Sequence, residues 1–519
     1  MSPASEEAPS RTVTSAEKTT HDAADDGAHA HCSSAAVGAQ IHADLLVPPL
    51  TYRNNATRIA PVRVEVTASR NMRDRQITRA VRLIRPDLFA TDRPSHTYAS
   101  VSQAHRITIR QLGGGLSNHL YVAHPGGREE AVLVRIHAED EDGGAVADDH
   151  DGTDASASAS AEPAAATFVD REVENRILAW LSSEGLAPTF HGRFANGRIE
   201  EFYDGYRPLS WDELQLPRFA VPVARALANL HCAQPPEGVL NISKEQRRDG
   251  EIWSRVSDWF DMASRSSSDV AEADELLQTM KLEWEWLQAS LRYPSDEATA
   301  TADMGSLDLS LGMESTASSY FRQIVFTHMD CQSLNILTPC DGFHLEDSSD
   351  TDSDSNSKND KEMHAESNLE EKGQDDGKGG EYASVRLIDF EYSGLNPRGA
   401  DIANTFCEHC NMNNLEPNYE AQYPNDEQQD RFLRAYIATA SPKLAKKLDQ
   451  LGGNNGEDDG WEPFLAAARV QVGQHALLSH MSWGIWAVAQ ASLSTIEFDY
   501  LKYARLRLEG YFHFKGRYW

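Results

Sequence analysis

The chain is 519 residues long, 40% hydrophobic and 25% charged, with a formal net charge of −32. That length could hold two or three domains, but so acidic a chain lacks the basic surface that neutralises phosphates, which excludes nucleic-acid binding as its main role. Six cysteines scattered at positions 32, 232, 331, 340, 407 and 410 exclude a disulfide framework. No run approaches the ~20 apolar residues of a membrane span, and no signal-type or Arg-rich leader is visible, so no stable membrane insertion is expected and a soluble cytoplasmic protein is the default.

Most of the acidity lies in two stretches. Nine acidic residues and no Lys or Arg fall between Glu139 and Glu162, and thirteen acidic residues against four lysines fall between Glu346 and Glu381. Both are rich in Ser, Ala, Gly and Asp and too poor in apolar residues to pack. Residues 139–167 and 346–381 are therefore expected to be disordered insertions, and the Ala-, Ser- and His-rich residues 1–45 a disordered tail.

From 76 to 88, Ile77, Val81 and Ile84 recur at helical spacing and Arg85-Pro86-Asp87 closes the run, predicting a short helix. Residues 106–110 alternate as a strand, Gly113, Gly114, Gly115, Leu116, Ser117 and Asn118 make a glycine-rich turn, and 120–123 resume as a strand. Such glycines let backbone amides approach an anion, although an ordinary hairpin turn has the same pattern. Residues 131–136 read as a buried strand carrying one cation, Arg135. Residues 168–181 are helical, and Glu174 is the candidate partner of Arg135, in a pair that would hold the guanidinium against phosphates; a surface Glu is the alternative. Residues 197–202 form a strand leaving a small lobe, where the backbone at Glu201 and Phe202 could meet an adenine edge. Beyond Leu209 helices prevail: 221–231, 252–263, 276–291, 432–440, 464–490 and 500–511. Cys407-Glu408-His409-Cys410 has C-x-x-C spacing on a predicted helix, without the second pair that would complete a zinc site.

Within the helical half, Val325-Phe326-Thr327-His328-Met329-Asp330-Cys331-Gln332-Ser333-Leu334-Asn335 is followed about fifty residues later by Leu387-Ile388-Asp389-Phe390-Glu391. Either motif alone recurs by chance. Together, in this order and each beside a strand-like run, they give the layout of phosphoryl transfer. Asp330 is the carboxylate at the attacking oxygen, in a loop headed by His328, and Asn335 and Asp389 are hard oxygen ligands for Mg2+ on the phosphates of ATP. The expected fold class is α+β, a two-lobed protein-kinase-like fold. A small antiparallel-sheet N-lobe (46–206) would face a large, mostly helical C-lobe (207–519) across a nucleotide cleft.

Leu387-Ile388-Asp389-Phe390-Glu391, continuing through Asn396-Pro397-Arg398-Gly399-Ala400-Asp401-Ile402-Ala403-Asn404 to Glu408, resembles the signature of the choline and ethanolamine kinases. The likeness extends to 113–118, 197–202, 328–337, Ser479-His480-Met481-Ser482-Trp483-Gly484-Ile485-Trp486 and Ile496-Glu497-Phe498-Asp499-Tyr500. It covers most of 76–515 outside the two insertions. It implies an ATP- and Mg2+-dependent kinase of a small amino alcohol, ethanolamine or choline or both, at the first step of the CDP-ethanolamine and CDP-choline routes to phospholipids; a homodimer is admitted. Carried over residue by residue, the nucleotide loop falls on Gly113 to His119, the phosphate-binding cation on Arg135, the helix carboxylate on Glu174 and the hinge near Glu201 to Tyr206. The base falls on Asp330, with Gln332 near the nucleotide, and the Mg2+ ligands on Asn335 and Asp389.

A cationic headgroup needs carboxylates at a distance and aromatic faces close by. The resemblance assigns Glu391, Asp401, Asn404 and Glu408 to the first and Trp483, Trp486 and Tyr503 to the second. Trp483 and Trp486 are three apart and share a helix face, where plain core packing is the competing reading. Two departures stand out: Met329, where many members have Asn, and Asn413, where a tyrosine is often found. Another small-molecule kinase of the same fold, of the aminoglycoside type, and a non-enzymatic pseudokinase scaffold are the rival readings.

Overall fold

The computed structural model describes residues 51–519 except 56–57, 90–106, 114–117, 127–129, 138–167, 267–270, 293–308, 341–382, 452–459 and 495. The tail 1–45, both acidic insertions and four residues of the glycine-rich turn, Gly114, Gly115, Leu116 and Ser117, lie outside the described residues.

The first part comprises β1 (Ile59–Ala60), α1 (Arg70–Ile84), β2 (Ile107–Leu112), β3 (Asn118–Pro125), β4 (Val132–His137), α2 (Arg171–Ser183), β5 (Phe190–Phe194) and β6 (Gly197–Glu201). Its six strands form one sheet in the order β1-β5-β6-β4-β3-β2. The expected antiparallel sheet gains one short exception, because β1 runs parallel to β5. Strand alternation sends Val132, Val134 and Ile136 of β4 into a small core with Ile77 and Val81 of α1, Tyr121, Phe194 and Ile199. The same alternation turns Arg135 to the opposite face.

Helix α2 begins at Asp170, whose side chain accepts from the backbone N–H groups of Glu172 (2.9 Å) and Val173 (3.1 Å), a cap worth ~1 kcal/mol. Its apolar stripe of Ile177, Leu178, Trp180 and Leu181 is buried not in the sheet's core but in the larger one. Trp180 meets Phe326 edge-on with ring centroids 4.9 Å apart. Each of these large side chains contributes ~1.5–3 kcal/mol on burial, so the helix that carries Glu174 is anchored to the helical lobe.

That lobe comprises β7 (Tyr206–Pro208), α3 (Pro217–Cys232), α4 (Lys244–Asp249), α5 (Ile252–Ser266), α6 (Ala271–Leu291), α7 (Met313–Arg322), β8 (Ile324–Thr327), β9 (Ile336–Pro339), β10 (Arg386–Leu387), β11 (Gly394–Pro397), α8 (Arg398–Glu408), α9 (Tyr419–Gln422), α10 (Asp426–Ala440), α11 (Pro442–Leu451), α12 (Trp461–Leu493) and α13 (Tyr500–Tyr518). Helix α12 is apolar on most sides, as befits a helix packed among α5, α8 and α13. Helix α3 starts four residues ahead of its predicted position, with Pro217 in its first turn and Pro222 inside. Pro222 has no N–H to give the carbonyl of Arg218, and the backbone N–H of Ala383 takes that acceptor instead at 3.2 Å.

Two antiparallel pairings place the motifs. β8 pairs with β11, from Ile324 opposite Pro397 to Thr327 opposite Gly394, and β9 pairs with β10, Ile336 opposite Leu387. The loop 328–335 between β8 and β9 is thereby clamped against the segment 388–393 between β10 and β11. Among the described residues, no helix is long and apolar enough to cross a membrane.

Candidate active site

Met329 and Asp389 both have left-handed backbones, φ 64° and 67°. A non-glycine residue there costs about 1–3 kcal/mol and persists only when its surroundings hold it. At Met329, Asp401 provides the hold. Its Oδ2 accepts from the N–H of His328 (2.6 Å) and from His231 Nε2 (2.9 Å), and its Oδ1 accepts from the N–H of Met329 (2.8 Å). This corrects the expectation for Asp401: it is 0% exposed, both oxygens are engaged, and it lies beneath the loop rather than in a headgroup pocket. His328 is corrected in the same way. It is buried, its Nε2 donates to the carbonyl of Ile388 (3.0 Å) and its Nδ1 accepts from the N–H of Asp330 (3.3 Å), so both ring nitrogens are spent on tying the two motifs together. Burial, against the pull of Asp401, holds its pKa below the ordinary range and the ring neutral.

Asp330 is half-buried at the mouth of the loop. Its Oδ2 accepts from Asn335 Nδ2 at 2.8 Å, and the same Nδ2 also donates to the Asp330 carbonyl at 2.9 Å. With Nδ2 so engaged, Oδ1 is the oxygen Asn335 can offer a cation. Gln332 bridges outward, its Oε1 accepting from Asn413 Nδ2 at 3.0 Å and its Nε2 lying 3.5 Å from Asp330 Oδ2. Burial, then the charges of Glu408, Asp389 and Glu391, push the Asp330 carboxyl well above its ordinary range. Glu174, Asp389 and Glu391 each offer a carboxylate oxygen, all within 4.8 Å of one another. Burial, then Asp389 and Glu174, raise Glu391 to about 7.

Arg135 reaches this cluster, but not through the expected partner. Its Nε pairs with Glu200 Oε1 at 3.1 Å and its NH1 with Asp389 Oδ1 at 3.4 Å. Glu174 pairs instead with Arg198 (2.7 Å) and Arg171 (2.8 Å), and Arg171 also reaches Glu391 (3.1 Å). Arg198 Nε closes the network on Glu200 at 2.5 Å. Glu174 and Arg135 still feel each other's charge, with Arg198 between. The sequence reading missed Arg171, Arg198 and Glu200. Arg198 and Glu200 are two apart on β6 and so share a face, but only the register of Arg135 opposite Arg198 shows which face that is.

At the edge of the sheet, Gly113 is exposed at the end of β2, and Asn118 opens β3 with its Oδ1 3.1 Å from His137 Nδ1. The carboxylate of Glu201 is engaged by the N–H and hydroxyl of Thr189 (2.9 and 2.7 Å). From half-buried Phe202 the chain leaves the sheet and turns through Gly205, φ 74°, into β7.

On the other side of Asp330 lies an aromatic cluster. Trp483 and Trp486 meet at 80°, centroids 5.4 Å apart, and Trp483 packs on Tyr392 at 5.1 Å. The indole N–H of Trp483 donates to Asn404 Oδ1 (2.8 Å), which Ser479 also reaches (2.7 Å), and that of Trp486 donates to the Tyr392 hydroxyl (3.1 Å). Trp259 borders Tyr392 and Trp483. Glu408 pairs with Arg507 at 2.6 Å, and Arg507 donates twice to the Tyr503 hydroxyl. Asp330 is close enough for its charge to help raise the phenol pKa values of Tyr392 and Tyr503, after burial as the main cause. The structure thus brings Glu391, Glu408, Trp483, Trp486 and Tyr503 toward one site and adds Tyr392, Trp259 and Arg507. Arg507 lies one helical turn beyond Tyr503, a spacing that could have drawn attention to it. Cys407 and Cys410 are buried free thiols.

A small sheet, a large helical lobe and an H-x-D loop clamped against a second Asp define a protein-kinase-like phosphotransferase fold. The family described as choline/ethanolamine kinase matches residues 162–512, and the chain belongs to that family. The human choline/ethanolamine kinase is 32% identical over 351 residues, 66% of this chain and 68% of that one. Among solved structures, a choline kinase from Cryptosporidium parvum has a TM-score of 0.51 at 23% identity, covering 79% of this chain and 89% of its own. An ethanolamine kinase from Plasmodium vivax has a TM-score of 0.52 at 19% identity, covering 86% and 90%. Both share the fold.

Proposed function

We propose that this chain transfers the γ-phosphoryl group of ATP to the hydroxyl of ethanolamine, choline or both. One observation carries the reading: Asp330 stands where a set of oxygen ligands meets an aromatic pocket bordered by carboxylates. A small alcohol with a cationic end would there offer its hydroxyl to Asp330 and its ammonium group to aromatic faces. Asp330 accepts the hydrogen bond of that hydroxyl and orients its oxygen toward the phosphorus. Trp483, Trp486, Tyr392 and Tyr503 supply faces for the cation, Asn404 fixes Trp483, and Glu408 adds negative charge that Arg507 moderates.

Asn335 and Asp389, with Glu391 adjoining, would hold Mg2+, since they offer oxygen donors only and the amide nitrogen of Asn335 is already engaged. Bound there, Mg2+ supplies charge stabilisation for the transferred phosphoryl group. Arg135, Gly113 and Asn118, Gln332 and the backbone near Glu201 and Phe202 form the nucleotide side of this reading, and a cytoplasmic location accords with it. The relatives bear the names of choline and of ethanolamine kinases, so both headgroups stay in the proposal.

ADP release by the purified chain with ethanolamine, choline and an aminoglycoside tests it. Turnover with one or both amino alcohols and none with the aminoglycoside is expected, and the reverse pattern rejects the reading. A cation over an aromatic face is worth ~0.5–2 kcal/mol. Trp486→Leu should therefore raise KM for the preferred amino alcohol by roughly 2–30-fold and leave KM for ATP nearly unchanged. Parallel changes in both constants would place Trp486 in the core alone.

A further inference from the structure

Asp401, which holds the loop of Asp330 from below, is the end of a longer buried chain of side chains. Arg398 NH1 donates to the hydroxyl of Tyr436 at 2.7 Å. That oxygen lies 2.6 Å from His231 Nδ1, and His231 Nε2 lies 2.9 Å from Asp401 Oδ2. All four residues are at most 1% exposed. Arg398 is fixed at the far end by NH2 on Gln323 Oε1 (2.9 Å) and by its face over the Tyr320 ring at 4.3 Å.

The two ends decide the direction of every proton between them. A guanidinium can only donate and a carboxylate can only accept. His231 must therefore give Nε2–H to Asp401, which leaves Nδ1 as the acceptor in the neutral ring. Tyr436 then gives its O–H to Nδ1, and its oxygen is free to accept from Arg398. In the other tautomer, an Nε2 lone pair would face the Asp401 carboxylate, and the Tyr436 hydroxyl would lose its acceptor.

We propose that His231 and Tyr436 are positioning residues for phosphoryl transfer. Their ordered hydrogen bonds keep Asp401 in the orientation that accepts from the N–H groups of His328 and Met329, and so fix where Asp330 stands. The proposal rests on the reading of Asp330 given above. Displacements of about 1 Å at a reacting group can cost on the order of 100-fold in rate, so a device remote from the substrate can control turnover without touching binding.

Tyr436→Phe removes the hydroxyl and keeps the ring. It should lower kcat roughly tenfold, with KM for ATP and for the amino alcohol within about twofold of wild type, and it should also lower the melting temperature, because Arg398 NH1 and His231 Nδ1 each lose a buried partner. His231→Gln, whose amide N–H can serve Asp401 without help from Tyr436, should retain more activity than His231→Ala. Because Tyr436 acts through His231, adding Tyr436→Phe to His231→Gln should cost little further. An unchanged kcat in Tyr436→Phe, or losses that multiply in the double variant, overturns the proposal. The imidazole 15N shifts of the wild-type protein, assigned by the one signal that a folded His231→Gln lacks, give a readout independent of activity. A proton on Nε2 is expected, and a proton on Nδ1 overturns the relay. Failure of the underlying reading shows separately, as full turnover in Asp330→Asn.

Discussion

Asp330→Asn is expected to turn over at least ~100-fold more slowly than wild type and yet to melt at a higher temperature. The first effect follows from the loss of the only group in the loop placed to accept a proton from an alcohol beside the Asn335 and Asp389 oxygens. The second follows from the electrostatics. Burial, then Glu408, Asp389 and Glu391, raise the Asp330 carboxyl above its ordinary value of 3.8. Between that value and its folded-state pKa, the folded chain holds a proton that the unfolded chain has released, so this group's contribution to stability falls as pH rises through the window. At every pH above 3.8 the raised pKa opposes folding. An amide removes the charge while its Oδ1 still accepts from Asn335 Nδ2. Kinetics together with melting curves in chelator check both halves. Near-normal turnover would remove Asp330 from the chemistry, and a fall in melting temperature would mean that its charge is compensated in the folded state.

Arg198→Met should destabilise the fold by ~3–5 kcal/mol, because it leaves Glu174 and Glu200 buried with only their remaining partners. Burial alone would push Glu174 up, but Arg198, then Arg171 and Arg135, outweigh it and hold the carboxylate well below its usual range. Glu200 is held down in the same way by Arg198 and Arg135 against its burial. In wild type this stabilisation is present above pH 4.5 and is lost as pH falls through the depressed folded-state values. In the variant both carboxyls titrate higher, so acid should relieve the strain. The difference in denaturant midpoint between the two proteins should therefore narrow from pH 7 toward pH 5. Arg198→Lys, which restores charge without the planar fork, should fall between them. Equal melting of Arg198→Met and wild type at pH 7 would show that the network contributes nothing net.

Arg198 also marks where the sequence stops being readable. Local order was legible: α1, α2, α5, α6, α10, α12 and α13 carry their apolar residues at helical spacing, and the strands flanking His328 and Asp389 stand out as short apolar runs. β1 and β7 span two and three residues, too short for any period to form, and β5 shifts its register against β6 between Phe190 and Gly192. That Asp330, Asn335 and Asp389 come together was legible because they lie in two short segments, each beside a strand-like run. Partners set by sheet register or helix crossing were not. Arg135 chose Glu200 on a neighbouring strand over Glu174 on a helix. Asp401, Asn404 and Glu408 share one face of α8, and the resemblance gave all three one task. That face runs from beneath the loop to the aromatic pocket, so its first residue supports the backbone while its last borders Arg507.

The anchoring of α2 through Trp180 sets how the molecule should breathe. Amide hydrogens of 177–181 are expected to exchange with deuterium in step with the helical lobe around Phe326, not with the six-stranded sheet. If the sheet opens as a cooperative unit of its own, Arg135 and Glu200 travel with it, whereas Glu174 and Arg171 stay behind. The ion pairs joining Arg198 to Glu174 and Arg135 to Asp389 would then act as a latch across the moving boundary.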